Sequence, residues 1–218
     1  MRKGTAISAM SAVALALLTA TAAAPAAAAS APRPVPGPDD VTIEIAAAKG
    51  SGCAPGTAKA VIRDDHDGFH LEYSDFTARV GGTSKPADAR KNCRLSLKVG
   101  APKGFAYAIA QTDHRLGAQL QRGARAGHKE SYSFHGDTSP RVSEFSMTGP
   151  RGGSWHFTDR VAVEQLIWKP CDQEPTLDIN TELRVEPGTS DPAEVSMISL
   201  NSDGLNRAIY HFAWRQCK

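Results

Sequence analysis

The segment Arg63-Asp64-Asp65-His66-Asp67-Gly68 gathers three carboxylates just ahead of a glycine, an arrangement close to that of a calcium loop. With Gly68 set at the invariant glycine, Asp65 and Asp67 fall on ligand positions. Arg63 then stands at the first ligand position and Ser74 where a bidentate glutamate belongs. Asp64, Asp65 and Asp67 therefore make only a weak calcium candidate and read better as a solvated hairpin tip. The seven histidines (66, 70, 114, 128, 135, 156 and 211) contain no H-x-H pair, and the one H-x-x-x-H spacing, His66 to His70, runs through the expected Asp67-Gly68 turn and not along a helix face. A metal site would have to assemble across strands, and none is expected, nor any cofactor. Asp64, Asp65, Asp113 and Asp159, with one of the histidines, are the material for acid–base chemistry. Serine is plentiful, but no local signature marks one as a nucleophile, so catalytic residues stay unassigned.

The stretch KGSGCAPGTAKA, Lys49 to Ala60, imitates two functional loops and matches neither. Gly50 and Gly56 are one residue too far apart for a phosphate-binding loop, and Thr57 stands where its lysine belongs. Gly50-Ser51-Gly52 is not the G-x-S-x-G of a nucleophile elbow. What remains is a cysteine between two turns. Four cysteines with no C-x2-C pair argue against zinc and for two disulfides. Nearest-neighbour pairing, Cys53 with Cys93 and Cys171 with Cys217, is preferred. Each closes a loop of roughly forty residues worth about 3–4 kcal/mol. The two alternative pairings, which cross-link the halves of the chain, stay open.

The elements that must position these residues have a period of two. Val41 to Ile45, Phe69 to Tyr73, Cys93 to Val99 and Phe105 to Ala110 alternate as half-buried strands do. Asp67-Gly68 supplies the positive φ angles expected of a hairpin turn entered by Val61 and Ile62. Further strands are expected at Tyr132 to His135, Val142 to Met147, Ser154 to Thr158 and Val161 to Trp168. Three more follow at Leu177 to Val185, Glu194 to Asn201 and Arg207 to Trp214. Only Pro86 to Asn92 reads helical, and only for a turn or two. Many short strands without crossover helices predict an all-β fold, an antiparallel β-sandwich of jelly-roll or Ig-like type, with a closed barrel as the alternative.

Residues 1–29 have the positive start, apolar run and small-residue end of a signal peptide, so the protein is expected outside the cell with no membrane span in the mature chain. Residues 30–40, with Pro at 32, 34, 36 and 38, read as an extended linker. Residues 41–218 read as one domain. Of the 25 basic residues, Arg2 and Lys3 lie in the leader, so the remaining 23 match the 23 acidic residues. That balance lacks the footprint of a nucleic-acid binder. The basic residues between Arg115 and Lys129 have no interleaved aromatics and read as a solvated face. Trp168 and Trp214 each precede a cysteine by three residues and are expected to pack beside that disulfide. Trp155, with His156 next to it, is the candidate for ligand binding at the surface.

GSGC at Gly50 to Cys53, RKNCRLSL at Arg90 to Leu97, PKGFAYAIAQTDHR at Pro102 to Arg115, WKPC at Trp168 to Cys171, NTELRV at Asn180 to Val185 and the closing W-x-x-C occur in order. In these pieces the chain resembles the secreted bacterial and fungal proteins of the domain-of-unknown-function 4360 family. It departs from their pattern at Ala54, and at His114 and Leu116, where Tyr and Gly are usual. The resemblance implies a secreted, disulfide-bonded, β-rich domain and brings no catalytic residues with it. The expected function is a monomeric, non-catalytic extracellular module that binds a glycan or a protein. A hydrolase or lyase using Asp and His residues is the first alternative, and an inhibitor or toxin the second.

Overall fold

The structure is a computed structural model that describes residues 35–201 and 207–217. The expected signal peptide and the first part of the expected linker lie outside those residues. Val35 and the residues after it are not free of the domain, because the Val35 amide donates to the Trp214 carbonyl at 3.0 Å.

Among the described residues, twelve strands form two sheets: β1 (Thr42–Lys49), β2 (Ala58–Ile62), β3 (Gly68–Tyr73), β4 (Thr77–Val80), β5 (Arg90–Gly100), β6 (Phe105–Leu120), β7 (Arg125–Phe134), β8 (Arg141–Thr148), β9 (Arg151–Arg160), β10 (Leu177–Glu186), β11 (Ser196–Ser199) and β12 (Arg207–Gln216). One sheet has the order β1-β5-β10-β7-β8. The other is built around the long strand β6, which carries β9 on one side. On its other side, β12 pairs along the first part and β11 along the last, leading out to β3 and β2 and to β4 respectively. All ladders between these strands are antiparallel. The protein is a two-sheet antiparallel sandwich with two disulfides, Cys53–Cys93 and Cys171–Cys217, as nearest-neighbour pairing predicted.

Alternation explains which face of each strand is buried. On β5, Cys93, Leu95, Leu97 and Val99 turn inward, and on β10 Leu177, Ile179, Leu183 and Val185 meet them. The seven-stranded sheet answers with aromatics. Phe69 stacks on Tyr210 at 4.6 Å, and Tyr107, Phe212 and Trp214 pack edge to face or tilted against one another within 5.8 Å. Gly50 opens the first staple. Its φ of 135° and the approach of the Asn92 carbonyl leave no room for a side chain, and the chain then delivers Cys53 to Cys93.

Four sequence expectations change. Val161 to Trp168 is not a strand: the Val161 amide is held by Ala110 and the Lys169 amide by Tyr107. The intervening residues cannot stay extended between anchors so close on β6, and bulge into an exposed 3-10 turn at Val163–Gln165. The helix expected at Pro86 to Asn92 is only the 3-10 turn Pro86–Ala89, because Arg90 already belongs to β5. At the tip after β2 the left-handed residue is His66, with φ 54°, and not Gly68. β6 runs on to Leu120 and β7 starts at Arg125, well beyond the strands read from Phe105 to Ala110 and from Tyr132 to His135.

Gly68 is required for space. A Cβ there would lie 2.1 Å from the Tyr210 carbonyl oxygen on β12. Gly68→Ala is expected to destabilise the protein by about 2–3 kcal/mol through displacement of that ladder, measured by chemical denaturation.

Candidate functional site

Two polar constellations stand out, one inside the sandwich and one outside, and β6 contributes to both. Inward, β7 places Ala126, His128, Glu130, Tyr132 and Phe134 in the core, and β6 faces it with Thr112, His114 and Leu116. His114 and His128 are fully buried and Glu130 is 1% exposed. The two imidazoles lie 4.5 Å apart, and Phe157 of β9 stacks on His114 at 4.8 Å. Glu130 Oε2 accepts hydrogen bonds from the Tyr210 hydroxyl at 2.6 Å and the Thr181 hydroxyl at 3.3 Å. Oε1 lies 3.4 Å from His114 Nε2, within ion-pair distance but without hydrogen-bond geometry. Among the described residues, both ring nitrogens of each of these two histidines lack a hydrogen-bond partner.

The environment acts on each group differently. Burial, helped by the neighbouring His114, pushes His128 down to about 3, so its ring is neutral at ordinary pH. Burial alone would raise Glu130, but the adjacent His114 and the Tyr210 hydroxyl outweigh it and hold the carboxyl below its usual range. Burial and the Glu130 charge push Tyr210 well up, keeping its hydroxyl a donor.

Outward, the same strands present rows of side chains to solvent. Arg207 on β12 faces Arg115 on β6, and Arg115 faces His156 on β9. The next row is Ile209, Asp113 and Thr158, and the one after it His211, Gln111 and Arg160. Asp113 is the hub. It accepts from Gln111 Nε2 at 2.7 Å and from the Thr158 hydroxyl, pairs with His211 Nε2 at 2.8 Å, and lies 3.7 Å from His156 Nε2. Partial burial raises its pKa, but those hydrogen bonds more than reverse this and keep it ionised. Asp113, Arg115, His156, Arg207 and Ile209 line a depression of about 240 Å³. Arg207 also borders a second one of about 340 Å³ that reaches Arg63, Asp64, Asp65 and His70.

The residues singled out from sequence are thus partly gathered. Asp113 meets His156 and His211, and Asp64 and Asp65 lie in the adjoining depression. Asp159 is bound to Arg141 by contacts of 2.9–3.3 Å that link β9 to β8 across the two sheets. Among Asp64, Asp65 and Asp67, the last two are held by Arg63 at 2.7 and 2.8 Å, so the positive charge at this tip is a guanidinium. Trp155 turns inward against the core with Arg151 over its ring at 4.7 Å, while His156 turns outward. Trp168 is half-buried under Arg215 at 4.6 Å, and Trp214 is in the core. The inner trio was missed. Its signal was His128-x-Glu130, two residues apart and hence on one strand face.

A family described as a domain of unknown function, DUF4360, matches residues 39–217, and the chain belongs to it. An uncharacterized secreted protein of Arthroderma benhamiae is 29% identical over 168 residues, covering 77% of this chain and 68% of that protein. The protein is secreted, in keeping with its two disulfides. Among solved structures, one of broad bean stain virus is similar with a TM-score of 0.29 and 8% identity, covering 76% of this chain and 88% of that one. A family 11 carbohydrate-binding module of a Clostridium thermocellum cellulosomal cellulase has a TM-score of 0.25 and 8% identity, covering 81% and 86%. Likenesses this distant decide nothing about the site.

The hydrogen bond from Arg63 holds the Asp65 carboxyl well below the usual carboxylate range. A depressed carboxyl stabilises the fold above its unfolded pKa of about 4, and that contribution fades as pH falls. Both side chains are partly exposed, so the pair is worth no more than about 1 kcal/mol. In Arg63→Ala the Asp65 carboxyl is expected to titrate close to its ordinary range, followed by NMR of the carboxyl carbon.

Proposed function

We propose that this secreted member of the DUF4360 family is a non-catalytic binding module, and that it holds an anionic glycan on the outward face of the seven-stranded sheet. The observation that carries the reading is the row Arg207, Arg115 and His156. Two arginines face each other on neighbouring strands, and among the described residues neither has a carboxylate within ion-pair distance. Like charges directly opposite in a sheet cost stability, and an anion lying between them removes that cost. Guanidinium groups suit the planar carboxylates of uronic acids and the sulfates of sulfated sugars, which they bind through paired hydrogen bonds.

The surroundings fit an extended ligand. The two depressions adjoin at Arg207 and cross from β9 over β6, β12 and β3 to β2, roughly 19 Å at the usual strand spacing. Ile209 and half-exposed Val61 form an apolar floor, and Asp113, Gln111 and Thr158 offer groups for hydroxyls. With Trp155 turned inward, recognition rests on charge and hydrogen bonds.

A second reading, a lyase acting on such a glycan, draws on the Asp113–His211 pair. There an arginine would neutralise a uronate carboxylate while a histidine removes the proton from the adjacent carbon, whose electron pair forms a double bond and expels the glycosidic oxygen from the next carbon, that oxygen leaving protonated as a hydroxyl.

Calorimetric titration with polygalacturonate and a sulfated glycan, against neutral cellulose oligomers, tests the module. Binding to the anionic ligands is expected to weaken as salt rises, and to drop about 10–100-fold in Arg115→Ala/Arg207→Ala. Absence of binding to either anionic ligand, or binding indifferent to the double substitution, overturns the reading. New unsaturated ends that appear with wild type and not with His211→Ala would establish the lyase instead.

A further inference from the structure

We propose that His114, His128 and Glu130 form a buried site for a divalent metal ion of the zinc class, which ties the two sheets together from inside. The donor atoms of the three side chains lie within 4.8 Å of one another. Two of them, His114 Nε2 and Glu130 Oε1, are 3.4 Å apart. That is the edge expected of a tetrahedron with metal–ligand bonds of about 2.1 Å, and the donor of His128 lies within 4.8 Å of both.

The pattern of satisfied and unsatisfied atoms gives the argument its force. Glu130 Oε2 is held by two hydroxyls, Tyr210 and Thr181, while Oε1 has no hydrogen bond. This is how an outer shell aims one carboxylate oxygen at a metal. All four imidazole nitrogens are buried without hydrogen bonds, a situation native cores avoid, since each such group costs about 1–3 kcal/mol. His128 in particular carries a lone pair that no group among the described residues uses. Two imidazoles and one carboxylate, borderline-soft donors with a single negative charge, suit zinc and its neighbours and not calcium or magnesium.

The arrangement is structural in character. Phe157 stacks on His114, Phe145 stacks on Phe157 at 4.6 Å, and all three donors are at most 1% exposed, so no substrate reaches the centre. His114 belongs to the seven-stranded sheet and the other two donors to the five-stranded one. An ion among them cross-links the layers much as a disulfide would. The site is independent of the outward face, although β6 supplies residues to both.

The test uses the full chain secreted from cells grown with added zinc. Elemental analysis after dialysis is expected to find about one zinc per chain. Replacement by cobalt is expected to produce the visible absorption of tetrahedral cobalt, and removal of the metal to lower Tm. His128→Leu, whose side chain packs on Phe157 in place of the ring, is expected to fold and to lose both the zinc and the zinc-dependent rise in Tm. Tyr210→Phe, which keeps the ring and removes the hydroxyl that aims Glu130, is expected to bind zinc about 10–100-fold more weakly. If the folded, disulfide-bonded wild type retains no zinc and its Tm does not respond to zinc, the trio is a proton-held His–Glu pair and the proposal is wrong. Zinc content unchanged in both His128→Leu and Tyr210→Phe would place the ion elsewhere and equally overturn it.

Discussion

The sandwich is built around an ionised carboxylate in its middle. Glu130 is almost wholly removed from water. Transferring such a charge to the interior costs several kcal/mol unless hydrogen bonds and an opposite charge compensate. Hydrogen bonds reach it from both layers, from Thr181 on the neighbouring strand β10 and from Tyr210 on the opposite sheet, where His114 Nε2 also stands 3.4 Å from Oε1. The separation and stagger of the sheets are therefore set by more than apolar packing. Tyr210 must bring its hydroxyl to Glu130 while its ring stacks on Phe69, and Gly68 must stay bare so that β3 can approach β12.

The same constraint shapes the outside. Strand alternation means that His114 can face the core only if Asp113 and Arg115 face solvent. Each neighbour repeats the choice: Tyr210 in and His211 out on β12, Phe157 in and His156 out on β9. The outward rows of Arg, Asp and His are the reverse side of the inward aromatic and histidine layer. A single-residue slip of β6 would exchange the two, sending Arg115 into the core beside Phe157 and His114 into water. The polar interior thus also fixes the register that assembles the outward rows of Arg, Asp and His.

Regions of plain apolar alternation were legible in the sequence. Cys93 to Val99, Leu177 to Val185 and Arg207 to Trp214 read as strands because their inward residues are aliphatic or aromatic. The reading failed where inward positions are polar. In β6 beyond Ala110 the buried residues begin with Thr112 and His114, and in the first part of β7 they include His128 and Glu130. A hydrophobic period cannot register such strands, and the basic residues around them looked like a solvated face. Val161 to Trp168 is the converse: its alternation is real, but closely spaced anchors on β6 force it out of a strand.

The amino-acid sequence by itself determined the compartment chemistry, the presence of two disulfides and the all-β class, and it preferred the cysteine pairing that the structure holds. Those depend on local properties: alternation along a strand, turns beside glycine and proline, and short loops that favour neighbouring cysteines. The tertiary structure alone decided which charges meet. His114 lies fourteen residues from His128 and Tyr210 eighty from Glu130. Arg115 and Arg207 are as remote along the chain and become neighbours only through the β6–β12 ladder. Coulomb and coordination chemistry act over a few ångströms, so contacts of this kind exist only once two sheets have been laid face to face in one register.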